Sequence, residues 1–233
     1  MIKFSEGSVV VPGEAVAEGK EYRIGQGFYR VGEKVFASRL GILRIKEEDN
    51  FIYLVPLTGV YNPREGDTVI GKIEDFHSLG WRIDLFCPYS AMLMVREVPG
   101  YVPAGELDKV FDIGDLVCVK ITKVTNNKMI DVSMNGPGLF KLNEGRIIKI
   151  SSQKIPRVIG KQGSMVNMLK DKTGCKVIVG KNGLIWTKGE PKTEIIVNEA
   201  IKMIEDLSHT SGLTDRVAEM LDKKMEEYNK NKG

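Results

Sequence analysis

The stretch Ile155-Pro156-Arg157-Val158-Ile159-Gly160-Lys161-Gln162-Gly163-Ser164-Met165-Val166-Asn167-Met168-Leu169 decides how the chain is read. An apolar run, Val158 and Ile159, leads into the tetrapeptide Gly160-Lys161-Gln162-Gly163, and a helix-like run with Met165, Met168 and Leu169 follows. Two glycines three apart allow a tight turn and a close approach to the backbone. A helix that starts directly after such a turn aims its free N–H groups, and the positive end of its dipole, at the same spot. An anionic backbone is the natural guest there. Lys154, Arg157 and Lys161 surround it.

The charge of the whole chain is arranged around this stretch. The net charge is +3, yet residues 141–188 carry 11 Lys+Arg against 2 Asp+Glu, while residues 1–140 and 189–233 each balance to −3. A solvated surface has no need of such a bias, and a polyanionic partner does, because each neutralised phosphate releases counterions. At 233 residues the length suits two or three compact modules, and 42% hydrophobic with 28% charged residues is ordinary for folded protein. No apolar run reaches about 18 residues, so no membrane span is expected. The start, Met-Ile-Lys-Phe-Ser-Glu-Gly, lacks the plan of a signal peptide. Cys87, Cys118 and Cys175 are odd in number, far apart and set among apolar residues. They are expected to be buried thiols in a reducing compartment, the cytoplasm.

Residues 1–62 read as short strands. Val9-Val10-Val11 ends at Pro12-Gly13, Phe28-Tyr29-Arg30 and Val35 to Ser38 follow, and Ile42 to Ile45 faces Phe51 to Val55 across a polar turn as a hairpin. Gly25-x-Gly27 lacks the third glycine and the helix of a dinucleotide loop, so it is a strand turn.

Residues 63–137 hold about five strands: Val69 to Ile73, Trp81 to Leu85, Ala91 to Met94, Leu116 to Ile121 and Ile130 to Ser133. Gly71 stands where a barrel strand must bend, and Gly66-Asp67 and Gly114-Asp115 open the first and fourth strands alike. That pattern predicts a five-stranded OB barrel. The span resembles the OB-type RNA-binding repeat named after a large bacterial ribosomal protein. That repeat carries two base-stacking aromatics, where this chain has Leu79 and Arg82. Trp81 shares a face with Ile83 and Leu85 and is expected in the core. Arg82, Lys120, Lys123 and Lys128 are left to guide phosphates, with His77 in the loop before Leu79-Gly80 as a further RNA contact. The Pro/Gly-rich loop at 98–112 is long enough to suggest a role of its own.

Residues 142–209 read β-α-α-β-β-α. A strand at Arg146 to Ile150 precedes a short helix at Lys154 to Ile159, with Pro156 in its first turn. After Gly160–Gly163 come a helix from Ser164 to Thr173, closed by Gly174, two strands, and a helix from near Pro191. A second Gly-x-x-Gly, Gly180-Lys181-Asn182-Gly183, lies between the two strands and is expected to be a tight hairpin turn. Only the first has helices on both sides. That context resembles the KH domain of type I, whose Gly-x-x-Gly loop clamps about four nucleotides of single-stranded nucleic acid. The resemblance implies Gly160, Lys161, Gln162 and Gly163 as the clamp, Arg157 and Lys154 as assistants, and Ile159 and Ile178 as apolar supports of a base groove. Residues 210–233 are expected to form an extra helix capped by Thr214 and fraying at its end. The fold class is therefore multidomain, mainly β plus α+β.

No arrangement looks catalytic. His77 and His209 are the two histidines, without metal-ligand spacing or a neighbouring nucleophile. No cofactor and no metal is expected. Taken over its full length, the order of β domain, OB repeat and single KH domain resembles the KH-bearing RNA-binding cap subunit of the archaeal exosome. Val10-Val11-Pro12-Gly13-Glu14, Gly25-x-Gly27-x-Tyr29 and Asn182-Gly183-Leu184-Ile185-Trp186 support it. The resemblance implies a non-catalytic protein present in three copies on a six-membered ring of RNase PH-like subunits. It would guide RNA 3′ ends into the ring and dock through its N-terminal domain. The alternative is a NusA-type transcription or antitermination factor, which carries two tandem KH domains where this chain has room for one.

Overall fold

In the computed structural model, residues 2–46, 49–57, 59–100, 102, 106–208, 210 and 212–230 are described. His209 and residues 101 and 103–105 of the Pro/Gly-rich loop lie outside them. The chain divides into two compact units, Met1–Gly59 and Val60–Gly233.

The first unit is built from seven short strands: β1 (Val9–Val10), β2 (Ala15–Glu18), β3 (Arg23–Ile24), β4 (Phe28–Val31), β5 (Lys34–Ala37), β6 (Gly41–Lys46) and β7 (Phe51–Pro56). They form one sheet in the order β1-β6-β7-β3 and another in the order β2-β5-β4. The expected β6–β7 hairpin is present, with Ile42 opposite Val55 and Ile45 opposite Ile52. Val10, Val16, Phe28, Val35, Leu43, Ile52 and Leu54 make its core. Gly41 has no room for a side chain, since a Cβ there would stand 2.1 Å from Leu54.

The second unit begins with the barrel. Its strands are β8 (Thr68–His77), β9 (Gly80–Asp84), β10 (Ser90–Met94), β11 (Leu116–Val124) and β12 (Ile130–Ser133). The order β12-β10-β9-β8-β11, with β12 also bonded to β11, closes five strands into a cylinder. A sixth strand, β13 (Lys141–Leu142), adds to the free side of β11. Trp81, Ile83 and Leu85 are all fully buried inside, as their period predicts. Trp81 donates its indole N–H to the Phe111 carbonyl at 3.2 Å and meets the Phe111 ring edge-on, centroids 5.1 Å apart. Its place is the core, so it offers no stacking platform. The segment after β10 contains a 3-10 turn at Val95–Glu97 and a short helix α1 (Leu107–Val110), whose Leu107 is buried in the barrel core.

Gly66-Asp67 and Gly114-Asp115 mirror each other across β8 and β11. Gly66 N–H donates to Ile121 O and Ile121 N–H to Asp67 O; Gly114 N–H donates to Ile73 O and Ile73 N–H to Asp115 O, each at 2.8 Å. Between them the strands pair antiparallel from Thr68–Lys120 to Lys72–Leu116.

The KH region follows in the predicted order: β14 (Arg146–Lys149), α2 (Ile155–Ile159), α3 (Ser164–Thr173), β15 (Lys176–Val179), β16 (Leu184–Lys188) and α4 (Pro191–Asp206). The antiparallel sheet runs β14-β16-β15. Its strands alternate. Val177 and Ile185 face the helices and join Ile155, Val158, Leu169, Val197 and Ile201 in one core. Leu184 and Trp186 face the other way. The last helix, α5 (Leu213–Lys230), starts one residue before Thr214, so Thr214 lies inside its first turn rather than capping it. It stays helical through the polar run 223–227 because Met225 and Tyr228 still pack against the core.

The outward face of the KH sheet is covered by the barrel. Ile70 of β8 and Cys118 of β11 are fully buried and form one cluster with Leu142, Leu184 and Trp186. Burial pushes the Cys118 thiol pKa up to about 11. The β15–β16 turn is the plug of this seam. β9 pairs with β8 only between Lys72 and His77, which leaves the start of β8 open on that side. The turn fills the gap: Lys181 N–H donates to Thr68 O at 2.9 Å. The Asn182 amide donates to Ile70 O at 2.7 Å and to Leu85 O at 2.9 Å, and its carbonyl accepts Ile70 N–H at 3.3 Å.

Candidate nucleic-acid interface

Gly160–Gly163 lies at the surface between α2 and α3. Helix α2 stops because Gly160 turns to φ 76°, ψ 175°, a region open almost only to glycine. Gln162, at φ 53° and ψ 29°, and Gly163, at φ 81° and ψ 8°, are left-handed, and α3 starts at the next residue. The two glycines differ in what they permit. A Cβ on Gly160 would lie 2.6 Å from the Met165 nitrogen in the first turn of α3, whereas one on Gly163 would meet nothing nearer than 3.6 Å. Gly160 thus seats the loop against the helix it introduces. No side chain caps the N-terminus of α3, and Arg157, Lys161 and Gln162 are exposed beside it. Their geometry suits an extended chain of phosphates: free N–H groups and a helix dipole, with exposed cations at the rim.

The remaining predicted residues separate into groups. Lys154 turns away: its ammonium donates to Glu205 O at 2.7 Å, in the last turn of α4. A cation there meets the negative end of that helix and satisfies one of its open carbonyls. Ile159 is half-buried against the KH core near the loop. Ile178 packs at the barrel seam instead, on the sheet face turned away from the helices. On the barrel, Arg82 lies 3.4 Å from both Glu74 and Asp75, and His77 lies 3.6 Å from Asp75. The β8–β9 register sets Arg82 opposite Asp75, so these charges are matched locally. Lys120 and Lys123 are exposed on β11, and Lys128 stands 5.8 Å from the centre of the Tyr89 ring.

The basic surplus of 141–188 is likewise partitioned. Lys141 pairs with Asp115, Arg146 with Glu194, Lys172 with Asp222 and Lys188 with Glu144. Lys149, Arg157, Lys161, Lys170, Lys176 and Lys181 make no ion pair among the described residues. Two of these flank or form the loop. Asn182 and Lys181 are the residues of the seam that sequence reasoning assigned only to a turn. Asn182 is 6% exposed, and its partners Ile70 and Leu85 lie about a hundred positions away. Among the described residues no three His, Cys, Asp or Glu side chains gather as a metal site, and no helix is long and apolar enough to cross a membrane.

Fold and loop together define a class first: a KH-domain protein built on an OB barrel. Comparison with known proteins agrees and goes further. The KH domain family model matches residues 145–193, and the model described as the exosome RNA binding protein RRP4 N-terminal domain matches residues 7–58. The chain is 42% identical to the exosome complex component Rrp4 of Methanobrevibacter smithii, over 95% of this chain and 73% of that one. It is 41% identical to the Rrp4 of Methanothermus fervidus, over 97% of this chain and all of that one. A solved structure described as an exosome complex RNA-binding protein superposes with a TM-score of 0.64 at 32% identity, covering 71% of this chain and 97% of the other. The chain belongs to the family of the archaeal exosome component Rrp4.

Proposed function

We propose that this protein is a non-catalytic RNA-binding cap subunit of an exosome. It holds single-stranded RNA at Gly160–Gly163 and passes the 3′ end to a phosphorolytic ring of RNase PH-like subunits. Three copies would sit on a six-membered ring, docked through the N-terminal β unit, in the cytoplasm. The observation that carries the reading is the bare turn between α2 and α3, with Lys161 and Gln162 exposed and Arg157 beside them. Family membership supports the exosome setting over a NusA-type factor.

The test replaces the two middle residues, Lys161→Asp with Gln162→Asp. Gly160 is unsuitable because a Cβ there meets the α3 backbone. Asp is tolerated in the left-handed region that Gln162 occupies, so the fold is kept. Binding of oligoadenylate should weaken at least tenfold with the thermal midpoint unchanged. The purified chain, given phosphate and the same RNA, should leave it full length. Unchanged affinity would overturn the clamp assignment, and shortening of the RNA would overturn the non-catalytic one.

A further inference from the structure

We propose that Lys181 and Lys120 form a second backbone-phosphate contact for single-stranded RNA, at the seam between the KH sheet and the barrel. The inference rests on the clamp reading of Gly160–Gly163. Lys181 N–H is bonded to Thr68 O, and Thr68 is the cross-strand partner of Lys120. Neighbouring strands lie about 4.8 Å apart, so the two lysines flank Thr68 with roughly 10 Å between their backbones. Both are exposed, and neither has a carboxylate partner among the described residues. Lys120 stands on the same outer face of the barrel as Cys118 and Ile70, which the KH sheet covers, so it marks the rim of that cover. The acidic side chains just before Thr68 in sequence, Glu65 and Asp67, are already engaged. Glu65 accepts Val124 N–H at 3.0 Å and Asp67 accepts the Tyr61 hydroxyl at 2.7 Å.

The seam is also tied to the segment that carries the clamp. Ile150 N–H donates to Gly183 O at 2.9 Å. From there a 3-10 turn, Ser152–Lys154, and α2 lead to Gly160. At helical rises of about 1.5–2 Å per residue this is a walk of roughly 15 Å. A loop that clamps about four nucleotides therefore hands a longer strand on within reach of Lys181. The Asn182 bonds hold the hairpin in place, so the second contact is fixed relative to the first. Lys141, Arg146, Lys172 and Lys188 are neutralised by carboxylates, whereas Lys181, at the seam beside Lys120, is not.

The test uses the full chain with oligoadenylates of four nucleotides, titrated by chemical-shift change, and of ten nucleotides, measured by anisotropy. The variants are Lys120→Gln with Lys181→Gln and, separately, Lys161→Asp with Gln162→Asp. Glutamine keeps the Lys181 N–H that docks on Thr68, so folding is preserved. Losing two phosphate contacts should lower the ten-to-four affinity ratio about tenfold at 0.15 M salt and reduce the decamer's salt slope by about 1.4. The loop variant should weaken both RNAs. An unchanged ratio and slope in the lysine variant would overturn the proposal, and would leave those lysines to solvent or to an acidic protein. If the ratio falls while the loop variant binds both RNAs normally, the seam contact stands and the clamp reading is what fails.

Discussion

The chain uses Gly-x-x-Gly twice, within 24 positions, for opposite ends. Gly160–Gly163 joins two helices and keeps its middle residues in solvent. Gly180–Gly183 joins two strands and buries Asn182 against a different module. In the first turn Gly160 seats the loop against the start of α3, and a Cβ on Gly163 would meet nothing nearer than 3.6 Å. In the second the glycines bring two backbones of the same chain together: a Cβ on Gly180 would lie 2.9 Å from the Ile70 nitrogen, and one on Gly183 2.4 Å from the Ile150 carbonyl. The pattern specifies a close approach, and what surrounds it decides what approaches.

If that contrast is right, the largest stability loss comes from the buried turn. Asn182→Ala strips three hydrogen bonds and leaves the Ile70 N–H and C=O and the Leu85 C=O without partners in a dry seam. A cost of about 4 kcal/mol is expected in urea unfolding, at roughly 1–3 kcal/mol per orphaned group with incomplete additivity. A change under about 1 kcal/mol would mean that the seam relaxes freely and that the plug is incidental. Next comes the pH dependence of the same seam. The Cys118 thiol ionises near 9 when exposed and near 11 when buried, so its contribution is intact below pH 9 and is lost as pH rises from there toward 11. Two pKa units correspond to about 2–3 kcal/mol at the alkaline end. Cys118→Val should flatten this limb of the stability curve relative to the parent protein, and coincident curves would place the titrating group elsewhere. The smallest effect belongs to the exposed turn. Gly163→Ala meets no atom closer than 3.6 Å and pays only for a left-handed backbone, about 1 kcal/mol in thermal melts. A loss as large as that for Asn182 would show the exposed turn to be structural too.

What could be read in advance follows from how local each signal is. The Gly160 loop was legible because its evidence is adjacent in sequence: Val158 and Ile159 before it, a helix pattern after it, cations around it. Trp81 was legible because strand periodicity alone turns it inward with Ile83 and Leu85. Asn182 was not, because its role is set by Ile70 and Leu85, and a hairpin turn looks the same whether it faces water or protein. Lys154 belongs with it, since the carbonyl it caps is on Glu205. Arg82 and His77 are a middle case. The carboxylates beside Arg82 come from the facing strand, and counting back from the Ser78-Leu79 turn pairs Arg82 with Asp75, while His77 meets Asp75 two positions back on its own strand, so both matches were available from the hairpin register. Ile178 was assigned to the groove because the KH resemblance supplied a position. The alternation of β15, with Val177 on the helix side and Ile178 on the other, carries the contrary indication.

The mirrored Gly-Asp turns carry a consequence for error control. Because β8 and β11 are fastened at both ends by matching bond pairs, neither strand can slide by one residue without breaking four hydrogen bonds. Such a slip would exchange the two faces of a strand. A slip of β8 would bring Val69 out of the barrel and turn Ile70 into it, a slip of β11 would do the same to Val119 and Cys118, and either would break up the surface on which the KH sheet rests. The fasteners proofread the alignment of one domain on behalf of its neighbour.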